Sequence, residues 1–178
     1  MPLTTARPWL IAVLLGLLTL SPAKAAGDWQ PWSPEVQAKA EKGDAQAQYI
    51  LGNCYGNGLG VAKDKVEAVK WYRKAAEQGN SMAQYNLGVF YRDGAGVTKD
   101  EVEAVKWFRK AAGHGNTDAQ SNLGACYLNG TGVAQDQAEA VKWYRKAADQ
   151  GSVMAQSSLG FSYYLGIGVA KDFVPAAA

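Results

Sequence analysis

The segment AVKWYRKAA at residues 68–76 returns letter for letter at 140–148, and residues 104–112 between them read AVKWFRKAA. The rest of the chain keeps the same 36-residue step. Trp71, Trp107 and Trp143 mark it, as do the Leu-Gly pairs at 51–52, 87–88, 123–124 and 159–160 and the tyrosines 55, 91, 127 and 163. The loop GLGVAKD (58–64) returns as GAGVTKD, GTGVAQD and GIGVAKD. A chain with such a period builds a stack of like units, each of which buries its apolar face only against its neighbours.

Each unit reads as two helices. The first opens at Asp44, Asn80, Asn116 or Ser152, all preferred N-caps. Its apolar stripe in the first unit is Ala47, Leu51, Cys54 and Tyr55, at helical spacing, and the loop glycines such as Gly58 and Gly60 end it. The second helix starts at Asp64, Asp100 or Asp136, with Glu67, Glu103 or Glu139 three places on, a pattern resembling a capping box. Ala68, Val69, Trp71, Tyr72, Ala75 and Ala76 supply its buried face, and Gly79 closes the unit. The expected fold is an all-α solenoid of antiparallel helix pairs. It has three full copies at 44–79, 80–115 and 116–151 and a truncated fourth at 152–178, preceded by a segment 26–43 that holds a capping helix. In that segment Ser33 and Pro34 fit the N-cap and first helical positions, with Trp29 and Trp32 expected over its outer side.

The stretch AQYNLGVFYRDGAGVTKDEVEAVKWFRKAAGHGN resembles the Sel-1-like repeat, a relative of the tetratricopeptide repeat, and the likeness runs over residues 44–178. It implies a right-handed superhelix whose first helices line the concave side. It also implies work as an adaptor for protein complexes, and for exported bacterial members a place in signalling, envelope regulation or contact with host proteins. Some relatives are associated with penicillin binding, but the one Ser-x-x-Lys, Ser21 to Lys24, lies in the leader described next.

Arg7, the apolar run Trp9–Leu20 and the small residues around Ala23-Lys24-Ala25 follow the order of a secretory signal peptide over 1–25. The rival reading is an uncleaved anchor, but a run of 12 residues falls short of the roughly 20 that span a bilayer. Export to the periplasm or the medium is the expectation. Loss of Arg7 and Lys24 would leave 16 basic residues against 16 acidic ones, a neutral chain poorly suited to nucleic acid. At the other end the repeat stops at Ala178, one place before the next tryptophan is due. The last first-helix is therefore expected to expose its face, to await further units or to associate with another molecule.

Cys54 and Cys126 hold equivalent places two units apart, roughly 20 Å given the usual helix spacing, too far for an intramolecular disulfide. They read as small buried hydrophobes, with an intermolecular bond the lesser alternative. The bases Lys70, Arg73 and Lys74 and their repeats at 106, 109, 110, 142, 145 and 146 lie near Glu67, Glu77, Glu103, Glu139 and Asp149. Paired, solvated helix faces are expected there rather than an anion site. The single histidine, His114, stands where other copies have Gln78 and Gln150. No catalytic pair, metal cluster or cofactor loop is indicated, and the Asn129-Gly130-Thr131 sequon is a by-product of the turn.

Recognition is expected where the copies differ. A first-helix stripe rotated roughly 140° from the core stripe carries Gln46, Tyr49, Asn53 and Asn57, then Met82, Tyr85, Val89 and Asp93, then Asp118, Ser121, Ala125 and Asn129. The fourth copy has Met154, Ser157, Phe161 and Leu165, of which the last two read as the covered side of an absent helix. The resulting reading is an exported scaffold that binds a protein or peptide in this groove and catalyses nothing. A penicillin-interacting or β-lactamase-like hydrolase, by family association, and a non-functional truncated fragment remain as alternatives.

Overall fold

The computed structural model describes residues 32–169. The leader, Trp29 and the KDFVPAAA end fall outside this span. Eight helices follow one another: α1 (Pro34–Glu41), α2 (Ala45–Asn57), α3 (Lys65–Glu77), α4 (Ser81–Asp93), α5 (Glu101–Gly113), α6 (Thr117–Asn129), α7 (Gln137–Asp149) and α8 (Val153–Leu165). Among the described residues there is no strand. Each helix packs on the next in chain order, with the closest association inside the pairs α2–α3, α4–α5 and α6–α7. This is an all-α solenoid.

The caps explain why the helices begin where they do. Asp44, Asn80, Asn116 and Ser152 each accept from the N–H three residues on. Ser33 caps α1, and Pro34 is its first residue. At the second helices the expected capping box is only half formed. Asp64 Oδ1 accepts from Glu67 N at 3.0 Å, and Asp100 and Asp136 do the same for Glu103 and Glu139. The glutamates do not reach back, because the N–H groups of Asp64, Asp100 and Asp136 already donate to the carbonyls of Tyr55, Tyr91 and Tyr127 at 2.8–2.9 Å. Those bonds tie the end of each first helix to the start of its second, and the glutamates turn forward to Lys70, Lys106 and Lys142 at 2.8 Å.

Close approach inside a pair depends on the Leu-Gly positions. A Cβ on Gly52, Gly88 or Gly124 would stand 2.6 Å from the ring of Tyr72, Phe108 or Tyr144 respectively. Glycine is therefore the residue that lets an aromatic ring lie flat on the first helix. Those three rings are almost wholly buried, as are Leu51, Leu87 and Leu123 beside them. Between units a second contact recurs. Gly96 sits at φ +68, and a Cβ there would meet the Lys65 carbonyl at 2.3 Å; Gly132 and Gly168 meet Glu101 and Gln137 in the same way, so these three loops press on the opening turn of the second helix one unit back.

Buried glutamines hold successive units in register. Gln48, Gln84 and Gln120 are buried, and their Nε2 groups donate to the carbonyls of Ala40, Ala76 and Ala112 at the ends of the preceding second helices. Gln78 and Gln150 donate in turn to Gln48 and Gln120, and His114 fills the equivalent place opposite Gln84 Oε1 at 3.0 Å. With Gln84 Nε2 committed to Ala76, its oxygen accepts and His114 Nδ1 carries the proton. The lone histidine is a variant of a structural glutamine.

Trp32 differs from expectation. It packs inward with Val36 against Ala40, Leu51, Cys54 and Trp71, because the 36-residue step places it where later units bury Ala68.

Candidate functional site

The stripe of variable residues lies on α2, α4 and α6. Gln46, Asn57, Met82, Asp93, Asp118 and Asn129 are exposed there, and Tyr49, Asn53, Tyr85 and Val89 are half-buried. Two tyrosines hold equivalent positions in adjacent units. The Tyr49 ring lies 6.3 Å from that of Tyr72, and the Tyr85 ring 6.0 Å from that of Phe108. Each is propped on a buried aromatic, which fixes its body while leaving part of its surface to solvent. Burial pushes the Tyr85 phenol above its usual range; it is a neutral hydroxyl.

Ser121 is a correction to this set. It occupies the position of Tyr49 and Tyr85 but is 0% exposed. Its hydroxyl contacts the Thr117 carbonyl and Ser152 Oγ, each at 3.1 Å. A tyrosine at this position projects beyond the seam between units, whereas serine is too short and is consumed by the next helix cap. The aromatic part of the stripe therefore spans two units and stops at the third.

The seams between first helices differ in chemistry. In the first, Asn53 Oδ1 accepts from Tyr72 Oη at 2.7 Å and from Asn86 Nδ2 at 3.3 Å. In the second, Arg92 pairs with Asp93 at 2.7 Å and donates to Asn122 Oδ1 at 2.8 Å. The Arg92 guanidinium holds the Asp93 carboxyl below the usual carboxylate range. Asn86 and Asn122 were absent from the predicted stripe. They fall one position after Tyr85 and Ser121, on the side facing the preceding unit, and only the stack reveals that this side borders the same surface. Their repetition in YNLG and SNLG was the available signal.

The basic ladder is engaged within the chain. Lys70, Lys106 and Lys142 pair with glutamates as expected. Arg73, Arg109 and Arg145 donate instead to the hydroxyls of Tyr91, Tyr127 and Tyr163 in the next unit. Lys74, Lys110 and Lys146 lie over the rings of Trp71, Trp107 and Trp143 at 4.0–4.1 Å. Glu77 and Asp149 take no part in an ion pair among the described residues.

Cys54 and Cys126 are free and buried, and burial raises both thiols. Among the described residues, no group of three or more His, Cys, Asp or Glu is arranged to hold a metal ion. No helix there is long and apolar enough to cross a membrane.

At the last unit Phe161 is 58% exposed and Leu165 46%, with Val153, Met154 and Tyr164 also open to solvent. Nothing described lies within 4 Å of a Cβ built on Gly160.

Comparison with known proteins accounts for the repetition. The family model described as Sel1 repeat matches residues 45–80, 81–116, 117–152 and 153–177. No curated protein matches. Among solved structures, c5321, a protective antigen present in uropathogenic Escherichia coli strains displaying an SLR fold, is 47% identical with a TM-score of 0.77. That match covers 79% of this chain and 30% of c5321. A Sel1 repeat protein from Oxalobacter formigenes is 36% identical (TM-score 0.76), with 92% of this chain and 64% of that one covered. Helicobacter pylori cysteine rich protein B is 26% identical (TM-score 0.56) over 76% of this chain and all of its own. This chain thus spans less than two thirds of the first two proteins. Sel1-repeat proteins are generally scaffolds for protein–protein interaction, typically without enzymatic activity. With four consecutive units matched and the same helix-pair stack in its structural neighbours, the chain belongs to the Sel1 repeat family.

Proposed function

We propose that this chain is an exported adaptor that holds a protein or peptide segment along the face formed by α2, α4 and α6, binding without turnover. The observation that carries the reading is the pair Tyr49 and Tyr85, half-buried against Tyr72 and Phe108 in adjacent units. Rigid, part-exposed tyrosines supply contact area at little entropic cost, and they are enriched at protein interfaces. Gln46, Asn53, Asn57, Met82, Val89 and Asp93 around them vary from copy to copy, whereas the second-helix caps, the loop glycines and the buried aromatics hardly change. Asp118 and Asn129 extend the polar part of the surface into the third unit. Export is supported by the leader-like order of residues 1–25. It is also in keeping with the antigenic character of c5321.

The test is capture of partners from cell-envelope extract and from host proteins, alongside a Tyr49→Ala/Tyr85→Ala variant of unchanged helicity. A partner retained by the natural chain and lost by the variant supports the groove. Equal retention by both removes it. N-terminal sequencing of the protein recovered from the envelope and the medium tests export: a start at Ala26 is expected, and an intact Met1 would overturn cleavage.

A further inference from the structure

The first seam contains a cavity of about 310 Å3, lined by Asn53, Gly56, Asn57, Tyr72, Asn86 and Phe90. It exists because position 56 is glycine. The equivalent residue in the second seam is Arg92, which lies across that seam to Asn122 and Asp93. In the third it is Leu128, packed into the local core. The floor of the open cavity is aromatic, with the Tyr72 and Phe90 rings edge to face at 5.3 Å.

Its polar atoms define what fits. Asn53 Oδ1 is occupied by Tyr72 Oη and Asn86 Nδ2. Asn57 Nδ2 donates to the Asn53 carbonyl at 3.1 Å. Asn53 Nδ2, Asn57 Oδ1 and Asn86 Oδ1 then remain without a protein partner among the described residues, and the Asn57 and Asn86 amides each keep a second N–H, so the lining offers both donors and acceptors. None of the six residues is charged, and burial pushes the Tyr72 phenol above its usual range, keeping it neutral. A carboxylate, which only accepts, would leave Asn57 Oδ1 and Asn86 Oδ1 unpaired and find no cation among the lining residues, and an ammonium would lack a counter-charge. A trans peptide bond points its N–H and C=O in opposite directions. A primary carboxamide presents oxygen and NH2 side by side on a short apolar stem.

We propose that this cavity is a side-chain subsite for glutamine or asparagine on the peptide held by the groove. It rests on the groove reading and adds the partner chemistry at its first seam. The NH2 donates to Asn57 and Asn86, the oxygen accepts from Asn53 Nδ2, and the stem lies on Tyr72 and Phe90.

The test uses 15N-labelled protein and peptides Gly-Gly-X-Gly-Gly with acetyl and methylamide ends, so that X carries the only primary amide. With X as Gln, the side-chain amide signals of Asn53, Asn57 and Asn86 should shift saturably, at concentrations up to about 10 mM. Binding should weaken at least about tenfold with Glu or Met as X. Gly56→Arg, which copies the residue at position 92, should abolish the response while the melt stays cooperative. Gly56→Ala, whose Cβ has ordinary contacts of 3.4–3.7 Å, should retain it. Asn57→Leu, at an exposed site, gives a second reading and should also lose it. No shift with the Gln peptide, equal binding of the Glu or Met peptide, or an unaltered Gly56→Arg or Asn57→Leu response would overturn the subsite. If the signals of Tyr49 and Tyr85 move with every peptide while the three asparagine amides stay still, the groove survives and only the subsite fails.

Discussion

Gly88 and Gly160 occupy the same place in the repeat, each after a leucine and at the middle of a 13-residue first helix. Around Gly88, a Cβ would strike the Phe108 ring at 2.6 Å and the Ala104 carbonyl at 3.2 Å. Around Gly160 there is no described neighbour within 4 Å, and the residue is exposed. The same Leu-Gly pair therefore has different surroundings in the two units. At Gly88 the missing side chain is a packing surface, whereas at Gly160 no described residue occupies the space it leaves. The difference lies in whether a second helix has laid an aromatic ring on the glycine.

The strongest way to break this comparison is to remove the rings themselves. Phe108→Ala empties a fully buried site and should destabilise the fold by about 3–5 kcal/mol. Phe161→Ala, on the open face, should change stability by no more than about 0.5 kcal/mol. Urea melts followed by circular dichroism measure both, and a Phe161 effect approaching that of Phe108 would mean that α8 is covered in solution.

The glycines give a smaller but opposite-signed pair. Gly88→Ala should destabilise by about 1–3 kcal/mol, the overpacking penalty less the helical gain. Gly160→Ala should stabilise α8 by up to about 1 kcal/mol, seen as slower amide exchange in Val153–Leu165. Equal signs at the two sites would sink the comparison.

Glutamines sharpen it further. Gln84→Leu removes a buried side chain that bonds Ala76 and His114, and should destabilise by about 1–2 kcal/mol. Gln156 makes the matching bond to Ala148 at 3.3 Å but is exposed, so Gln156→Leu should be near neutral in the same melt.

The smallest effect belongs to the filled second seam. Arg92 depresses the Asp93 carboxyl by hydrogen bonding and charge, so the native value lies below the unfolded one. The stabilisation is therefore present above the ordinary carboxylate pKa of about 3.9 and is lost as pH falls through the depressed native value. Both side chains are well exposed, which limits it to less than about 1 kcal/mol. Comparing melts of the natural chain and Asp93→Asn between neutral pH and pH 3 should show the difference narrowing at the acid end.

The repeat, its helix pairs and its caps were legible in the sequence because they rest on local chemistry: a side-chain oxygen three residues ahead of an N–H, a glycine after the last turn, and apolar residues at helical spacing. The same regularity placed the tyrosine stripe and kept the two cysteines apart. What it could not reveal was any choice made between units. Glu67 abandons its expected cap because Tyr55, on another helix, already holds the Asp64 N–H. Ser121 sinks where Tyr49 and Tyr85 protrude because the next cap lies above it. Asn86 comes to border the surface only when α4 is set against α2, and the cavity at Gly56 exists only between two helices. Periodicity in one dimension determines which residues face inward from a unit. Which of them meet, and what space is left where they do not, depends on the distance and angle at which one unit stacks on the next, and that was decided by the tertiary structure alone.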